Sequence, residues 1–117
     1  MRRSSTAVIE QGNVYGQDFA TEPFEAGWAS EARWFVRILD GEDQDESGEV
    51  RVTAQPEISP DGLVWLGNGG DPIRMSAAAG AMSSCLVTGF GNWLRLNIKL
   101  EGAARGVKFL IHLALKE

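Results

Sequence analysis

The sequence predicts an all-β fold: a single antiparallel β-sandwich of jelly-roll type, with seven or eight strands and an extended N-terminal arm. Three observations point to this class. Apolar and polar residues alternate with a period of two along several segments, turn-forming residues recur at short intervals, and no long segment has the roughly 3.6-residue period of a helix. A barrel is the alternative architecture. We expect one domain over residues 1–117, with a strand and arm in 1–30 and the sandwich core in 31–117.

Composition and charge narrow the range of functions. The net charge of −5 argues against nucleic acid as the main partner, because phosphate binding needs a concentrated basic surface. No apolar segment approaches the roughly 18 residues of a membrane span, and no signal-peptide core follows the basic start, so we expect a soluble chain. The compartment stays undetermined, with a virion or an extracellular assembly both open. Cys85 is the only cysteine, which leaves no intrachain disulfide.

The N-terminal part of the chain predicts one strand followed by an arm. Residues 6–11 have the composition of a strand. Residues 16–30 show no period but contain three aromatic residues, Phe19, Phe24 and Trp28. We therefore expect this arm to lie across apolar surface, either on its own chain or on a neighbouring subunit.

Two pairs of alternating segments predict two hairpins. Residues 32–39 and 50–55 flank the acidic segment 40–49, and residues 94–101 and 107–115 flank a glycine-containing loop. In each segment one face is apolar and the other mostly polar, which is typical of strands with one side on a core. Pro56 is expected to end the second strand, since proline cannot donate to a ladder.

The last hairpin predicts a basic stripe. The register that its loop suggests places Lys99 opposite Lys108 and Arg95 opposite His112, on the face away from the core. Like charges directly opposite each other destabilise a sheet. Unless these long side chains splay into solvent, we expect an acidic residue of the chain, a partner subunit or an anionic ligand to offset them.

Between the two predicted hairpins the sequence indicates turns and short strands. Ser59-Pro60-Asp61-Gly62 is a strong turn sequence, since proline presets φ and Asp-Gly allows a tight reversal. A short strand is expected over 63–66, and others over 73–76 and 86–88. The alanine- and glycine-rich segment Ala77–Ser84 is expected to form either a short helix or a packed loop.

The acidic segment 40–49 carries six carboxylates and begins like a calcium loop. Residues with oxygen ligands occupy positions one, three and five of an EF-type spacing: Asp43, Asp45 and Ser47. The twelfth position is Ala54, which has no side-chain oxygen where such a loop needs a bidentate glutamate. We expect a solvated connection, with a calcium site as the lesser alternative. In an assembly, these carboxylates would face the basic stripe of a neighbour.

Several apolar residues fall where alternation predicts solvent. These residues are Phe35, Leu39, Leu110 and Ala114. Apolar side chains in such positions normally have a cover or form an interface. Combined with the arm and the basic stripe, they define a predicted interface set: Phe19, Phe24, Trp28, Phe35, Leu39, Arg95, Lys99, Lys108 and Leu110.

No catalytic constellation stands out in the sequence. His112 lies mid-strand without a nucleophile or acid at a fixed spacing, and Cys85 lies among small residues where packing is expected. We therefore expect no enzymatic activity and no cofactor. Trp34 falls on a core face, whereas Trp65 and Trp93 lie near strand ends and are candidates for a carbohydrate-binding platform.

The run Ile58–Trp65, with the segment Phe90–Leu96 downstream, resembles a pattern of small β-sandwich modules. In those modules an S-x-D-G-x-x-W hairpin precedes a strand that carries an aromatic residue and an arginine. Such modules occur among phage and prophage virion accessory proteins and in bacterial surface or filament proteins. The resemblance implies a structural, non-enzymatic role. Together with the apolar outward faces and the arm, it leads us to expect a subunit that works by self-assembly into a homo-oligomer or larger structure. The alternative is a sandwich that recognises carbohydrate, with or without calcium.

Overall fold

The computed structural model describes residues 3–39, 50–67, 69–102 and 106–117. Within these ranges the chain contains nine strands, and no helix there is long and apolar enough to cross a membrane. The strands are β1 (Ser4–Tyr15), β2 (Phe19–Ala20), β3 (Phe24–Glu25), β4 (Glu31–Leu39), β5 (Arg51–Ser59), β6 (Ile73–Ser76), β7 (Met82–Thr88), β8 (Trp93–Glu101) and β9 (Val107–Lys116). The predicted all-β class is confirmed.

The strands form two antiparallel sheets that pack face to face. Sheet A has the order β1-β9-β4-β7, and sheet B has the order β2-β8-β5-β6, with β3 also paired to β8. The chain changes sheet at every connection except β2 to β3 and β5 to β6, which is the arrangement of a jelly roll. The predicted architecture is confirmed. The two-residue strands β2 and β3 bring the count above the expected seven or eight.

The two predicted hairpins are wrong, although their strands exist. β4 lies in sheet A and β5 in sheet B, while β8 lies in sheet B and β9 in sheet A. Lys99 therefore pairs with Thr53, and Lys108 pairs with Leu39. An alternation of period two reports which residues face a core, but it does not report which strand is the neighbour.

The segment around the predicted turn also differs from expectation. β5 continues through Pro56 to Ser59. Proline is tolerated there because β6 pairs with β5 only as far as Ala54, so that the missing N–H lies at a sheet edge. The expected strand over 63–66 is reduced to a single bridge, which joins Leu66 to Ile58.

The backbone shows which structure the segments between residues 73 and 88 adopt. The strand over 73–76 is confirmed as β6. Ala77–Ser84 is not a helix: the Ala81 N–H donates to the Ala78 carbonyl oxygen at 3.0 Å in a turn, and β7 begins at Met82. The expected strand over 86–88 is the end of β7.

The arm runs along the edge of sheet B in its own chain. Phe19 lies opposite Ile98 and Phe24 opposite Leu94, both on β8. Between these pairs, the Thr21 N–H donates to the Leu96 carbonyl oxygen at 2.9 Å. The Leu96 N–H in turn donates to Thr21 Oγ1 at 2.9 Å. The arm thus pairs backbone groups of β8 that would otherwise form an open sheet edge.

The aromatic residues of the arm pack against the core of the same chain. Tyr15 and Phe19 stack with ring centroids 3.6 Å apart, and the Phe19 and Phe109 centroids are 5.5 Å apart. The Arg3 guanidinium lies 4.0 Å from the centroid of the Trp28 ring. Of the two expected placements, cover from the arm's own chain is the one observed.

The core fills the space between the sheets with the inward-facing residues of each strand. In β4 the side chains of Trp34, Val36 and Ile38 are fully buried, and the residues between them face outward. Phe109 and Ile111 of β9 repeat this pattern. Burying a large aliphatic or aromatic side chain in this way stabilises a fold by about 1.5–3 kcal/mol.

Candidate interaction surfaces

The outward side of sheet A, called here the outer A face, carries apolar and basic side chains at its centre. Phe35 of β4 lies opposite His112 of β9. One step along β4, Arg37 lies between Leu110 of β9 and Met82 of β7. Apolar side chains of β4, β7 and β9 thus alternate with basic and polar ones on a surface that points away from the core.

The apolar part of the outer A face is only partly covered. The four apolar residues that alternation places on the outward side are half-buried: Phe35, Leu39, Leu110 and Ala114. Toward the sheet edges Val8 is 55% exposed, Met82 58% and Leu86 43%. The arm does not cover this face, because it pairs with sheet B. A surface on which exposed and half-buried apolar side chains alternate with cations is a candidate for a protein–protein contact.

The outer A face is basic, although the chain as a whole is acidic. Its charged residues in the described part of the chain are Glu31, Arg33, Arg37, Lys108 and Lys116. Four cations thus stand beside one carboxylate, in a chain of net charge −5. Arg33 donates to Ser84 Oγ at 3.1 Å, and no described residue forms a salt bridge with any of these cations. The face is complementary to a partner that offers apolar and acidic groups.

The predicted basic stripe is divided between the two sheets. Arg95 and Lys99 belong to sheet B, while Lys108 belongs to sheet A. Arg95 pairs with Glu57 on β5, and its Nε lies 2.6 Å from Glu57 Oε1. An acidic residue of the chain therefore offsets Arg95. The predicted pairing of Arg95 with His112 is wrong, because β8 and β9 lie in different sheets.

The tip loop, residues 59–66, is held closed by hydrogen bonds. Ile58 and Leu66 exchange backbone hydrogen bonds of 3.0 and 2.9 Å at its base. Ser59 Oγ accepts from the N–H groups of Asp61 and Gly62, at 3.2 and 2.8 Å. Gly62 has φ of +79°, in the region that favours glycine. The turn predicted from Ser-Pro-Asp-Gly is therefore present.

A second set of hydrogen bonds fixes the tip of this loop. Asp61 Oδ1 accepts from the N–H groups of Leu63 and Val64, at 2.9 and 3.1 Å. These bonds, with that from Ser59 Oγ, hold the pKa of the Asp61 carboxyl below its usual value. The carboxylate is thus a structural acceptor as well as a surface charge.

The tip loop presents apolar side chains to solvent. Leu63 is 82% exposed, Val64 68% and Leu66 55%. Because the loop backbone is fixed, binding through these side chains would cost little ordering entropy. Sequence reasoning missed this surface by assigning 63–66 to a strand. The available signal was the adjacency of Leu63 and Val64, since neighbouring residues of a strand face opposite sides.

Two tryptophans attach the tip loop to sheet B. The Arg95 guanidinium lies 4.4 Å from the centroid of the Trp65 ring. Trp93 lies beneath Gly62, where an added Cβ would come within 3.1 Å of Trp93 Cδ2. Both rings therefore contact their own chain at the tip loop. A carbohydrate platform built from Trp65 and Trp93 stays a prediction.

The calcium candidates Asp43, Asp45 and Ser47 lie outside the described residues. The twelfth position of that motif, Ala54, is fully buried in β5 with its side chain on the core face. Among the residues that the structure describes, no group of three histidine, cysteine, aspartate or glutamate side chains is arranged to hold a metal.

Of the two residues considered for catalysis, Cys85 faces the core and His112 faces outward. Cys85 is buried, as expected, and burial raises the pKa of its thiol to about 11. His112 lies on the outer A face between Val8 and Phe35, neither of which carries an acidic or nucleophilic group.

Comparison with solved structures finds the same fold in proteins of low sequence identity. The PBSX exported protein XepA has a TM-score of 0.60 and 13% identity, over 98% of this chain and 36% of XepA. The SPBc2 prophage-derived protein YomS has a TM-score of 0.58 and 10% identity, over 100% of this chain and 96% of YomS. A chain in the structure of infectious bursal disease virus, Gx strain, has a TM-score of 0.56 and 12% identity, over 98% of this chain and 32% of that chain.

These likenesses establish a shared fold. The chain spans about a third of the length of XepA but nearly the whole of YomS. No protein-family model matches the sequence, and no curated protein does. The expected resemblance to phage-related sandwich proteins is thus supported at the level of the fold. Whether those proteins share the Ser59–Trp65 motif stays a prediction.

Proposed function

We propose that this chain is a non-enzymatic structural or accessory protein that works by self-assembly, as a subunit of a virion, shell, tube or filament. The outer A face carries the proposal, because its apolar side chains are only partly covered by the described residues and the arm lies on the other sheet. Removing apolar surface from water is the main driving force of protein association. Phe35 and Leu110 at the centre of that face are its principal contact residues.

The fold comparisons support this kind of role. YomS is prophage-derived and matches this chain over nearly its full length. A chain of a virus structure shares the fold as well. A component of a phage-like particle is consistent with both likenesses and with the absence of a catalytic constellation among the described residues.

Contact through the sheet face is favoured over an exchanged arm. Phe19, Phe24 and Trp28 already pack against the core of their own chain. Exchange of the arm between subunits would replace these contacts by identical ones and gain little enthalpy. The outer A face, in contrast, has apolar surface still to bury.

Sedimentation velocity over a series of protein concentrations tests the proposal. The weight-average mass is expected to rise with concentration for the wild type and to rise less for Phe35→Ser. Thermal unfolding of the variant checks that the half-buried Phe35 is not needed for folding. Arg74→Glu, on the outward side of sheet B and outside the predicted interface set, is the control and is expected to associate like the wild type. A wild-type chain that stays monomeric at the highest concentration would contradict the proposal.

Carbohydrate recognition is the second candidate. It is favoured by the position of Trp65 and Trp93, which both contact the tip loop on the outward side of sheet B. A bound glycan would raise the melting temperature by mass action. Thermal shifts against a panel of soluble glycans, with Trp65→Ala as the control, are expected to separate the two candidates. No shift with any glycan would leave this candidate without support.

A further inference from the structure

The tip loop exposes apolar side chains, the outer A face covers its own only partly, and the charges of the two surfaces are complementary. We propose that the tip loop of one copy docks on the outer A face of the next. This inference rests on the proposed self-assembly and specifies its geometry. One surface is a short hydrogen-bonded loop with exposed apolar side chains, and the other is the outward face of a four-stranded sheet.

The tip loop offers an apolar and acidic group. Leu63 and Val64 are its most exposed side chains, and Asp61 stands beside them. The fixed backbone reduces the ordering cost of binding. Oδ1 of Asp61 accepts the hydrogen bonds of the loop, and its second oxygen has no hydrogen-bond partner in the described part of the chain. The nearby cation, Arg95, is already paired with Glu57.

The outer A face offers the complementary groups. Phe35 lies at its centre with Arg33 and Arg37 on either side along β4. Leu110 lies beside Arg37 and extends the apolar centre. Arg37 is exposed and has no salt-bridge partner among the described residues. Leu63 and Val64 would cover the apolar centre, while the Asp61 carboxylate would meet an arginine.

Electrostatics disfavour the symmetric alternative, in which two outer A faces pack on each other. Four cations and one carboxylate would then face an identical set. Such juxtaposition of like charge opposes association. Contact between the tip loop and the face brings opposite charges together and buries apolar groups on both sides.

The proposed contact is heterologous. The tip loop joins β5 of sheet B, and the acceptor face belongs to sheet A, so each copy keeps one free surface after one contact. Repetition of such a contact gives a ring or an open chain. The tip is small compared with the roughly 1,200–2,000 Å² of a standard interface, so association is expected to be weak and strongly dependent on concentration.

Sedimentation velocity on a set of exposed-residue variants tests this geometry. The tip variant is Leu63→Ser with Val64→Ser, and the face variant is Arg37→Glu. Arg74→Glu reverses an arginine on sheet B that equally lacks a salt-bridge partner within the described residues, lies outside the predicted interface set, and serves as the control. We expect the wild type and the control to grow in mass with concentration, and association of the tip variant and the face variant to weaken about tenfold or more.

Mixing the two defective variants provides the decisive measurement. The face variant keeps an intact tip and the tip variant keeps an intact face, so an equimolar mixture is expected to form a one-to-one complex that does not grow. Monomers in the mixture would overturn the inference. So would a tip variant that assembles like the wild type, or an Arg37→Glu variant that assembles equally or more strongly. These outcomes leave self-assembly standing, whereas a monomeric wild type removes both proposals.

Discussion

Replacing Thr21 by valine tests whether hydrogen bonds hold the arm against sheet B. Thr21 lies between β2 and β3 and exchanges two hydrogen bonds of 2.9 Å with Leu96 of β8. The valine side chain has nearly the same shape but no acceptor oxygen. The substitution therefore removes one partner of a hydrogen bond while leaving the packing in place.

The expected cost follows from burial at this point. Thr21 is 7% exposed and Leu96 0%, so water cannot readily replace the lost acceptor of the Leu96 N–H. A buried donor left without a partner costs about 1–3 kcal/mol. The additional methyl group offsets up to about 0.8 kcal/mol of this. We expect a net loss of roughly 1–2 kcal/mol in the free energy of unfolding, which lowers the melting temperature by roughly 4–8 °C.

Urea denaturation followed by tryptophan fluorescence measures this loss. Thr53→Val is the matched control, because Thr53 lies on the outward side of β5 and its hydroxyl forms no hydrogen bond within the described residues. The control is expected to change stability by less than about 0.5 kcal/mol. Amide hydrogen exchange adds a local readout, in which the Leu96 amide is expected to exchange faster in Thr21→Val. Equal effects of the two valine substitutions would refute the reasoning.

Four further expectations follow from individual residues. Gly62→Ala is expected to lower the free energy of unfolding, measured by urea denaturation, by about 1 kcal/mol or more, because Gly62 has positive φ and an added Cβ would contact Trp93. The control Gly16→Ala should lower it little, because no heavy atom lies within 4 Å of the added Cβ. The Cys85 thiol is expected to resist a thiol reagent at pH 8 until the protein is denatured, and rapid reaction of the native protein would contradict its burial. Because burial raises the Cys85 pKa from 9.0 to about 11, its contribution to stability is full below pH 9 and is lost as the pH rises toward 11; the pH profile of unfolding should lose this decline in Cys85→Ala. Millimolar calcium is expected to leave the melting temperature unchanged, since Ala54 is buried in the core, and a rise of several degrees would revive the calcium site.

The faces of the strands were predictable from the sequence, whereas their neighbours were not. Alternation in β4 and β9 identifies Trp34 and Phe109 as inward-facing. The side that a strand turns to the core can be predicted from the strand's own sequence, because successive side chains point to opposite faces. Pairing depends on residues distant in sequence. β4 and β5 are consecutive strands that would each show one apolar face whether they paired in one sheet or lay in two. Only the topology shows that they lie in different sheets, with their apolar faces opposed across the core.

The same division holds for the candidate surfaces. Phe35 and Leu110 were recognised as apolar residues on an outward face, which needs only the local pattern. The pairing of Arg95 with Glu57 was not recognised, since it requires the register of β5 against β8. The exposure of Leu63 and Val64 was missed because side-chain hydrogen bonds, and not a ladder, determine the conformation of that loop.

The arm at the edge of sheet B and the bulges in edge strand β1 favour association through side chains over backbone pairing. At β8 the arm occupies the edge of sheet B with hydrogen bonds from its own chain. At β1 the pairing with β9 is interrupted by two register shifts, and Gly12 adopts φ of +82°. Bulges of this kind bend an edge strand away from the flat geometry that another strand needs. Addition of a strand is thus opposed at these two of the four sheet edges, the other two being β6 and β7. Assembly through the outer A face should proceed without a gain in β-sheet content. Circular dichroism at rising concentration is expected to show a constant spectrum while the mass grows, and a spectrum that gains strand signal with mass would favour pairing at the edges instead.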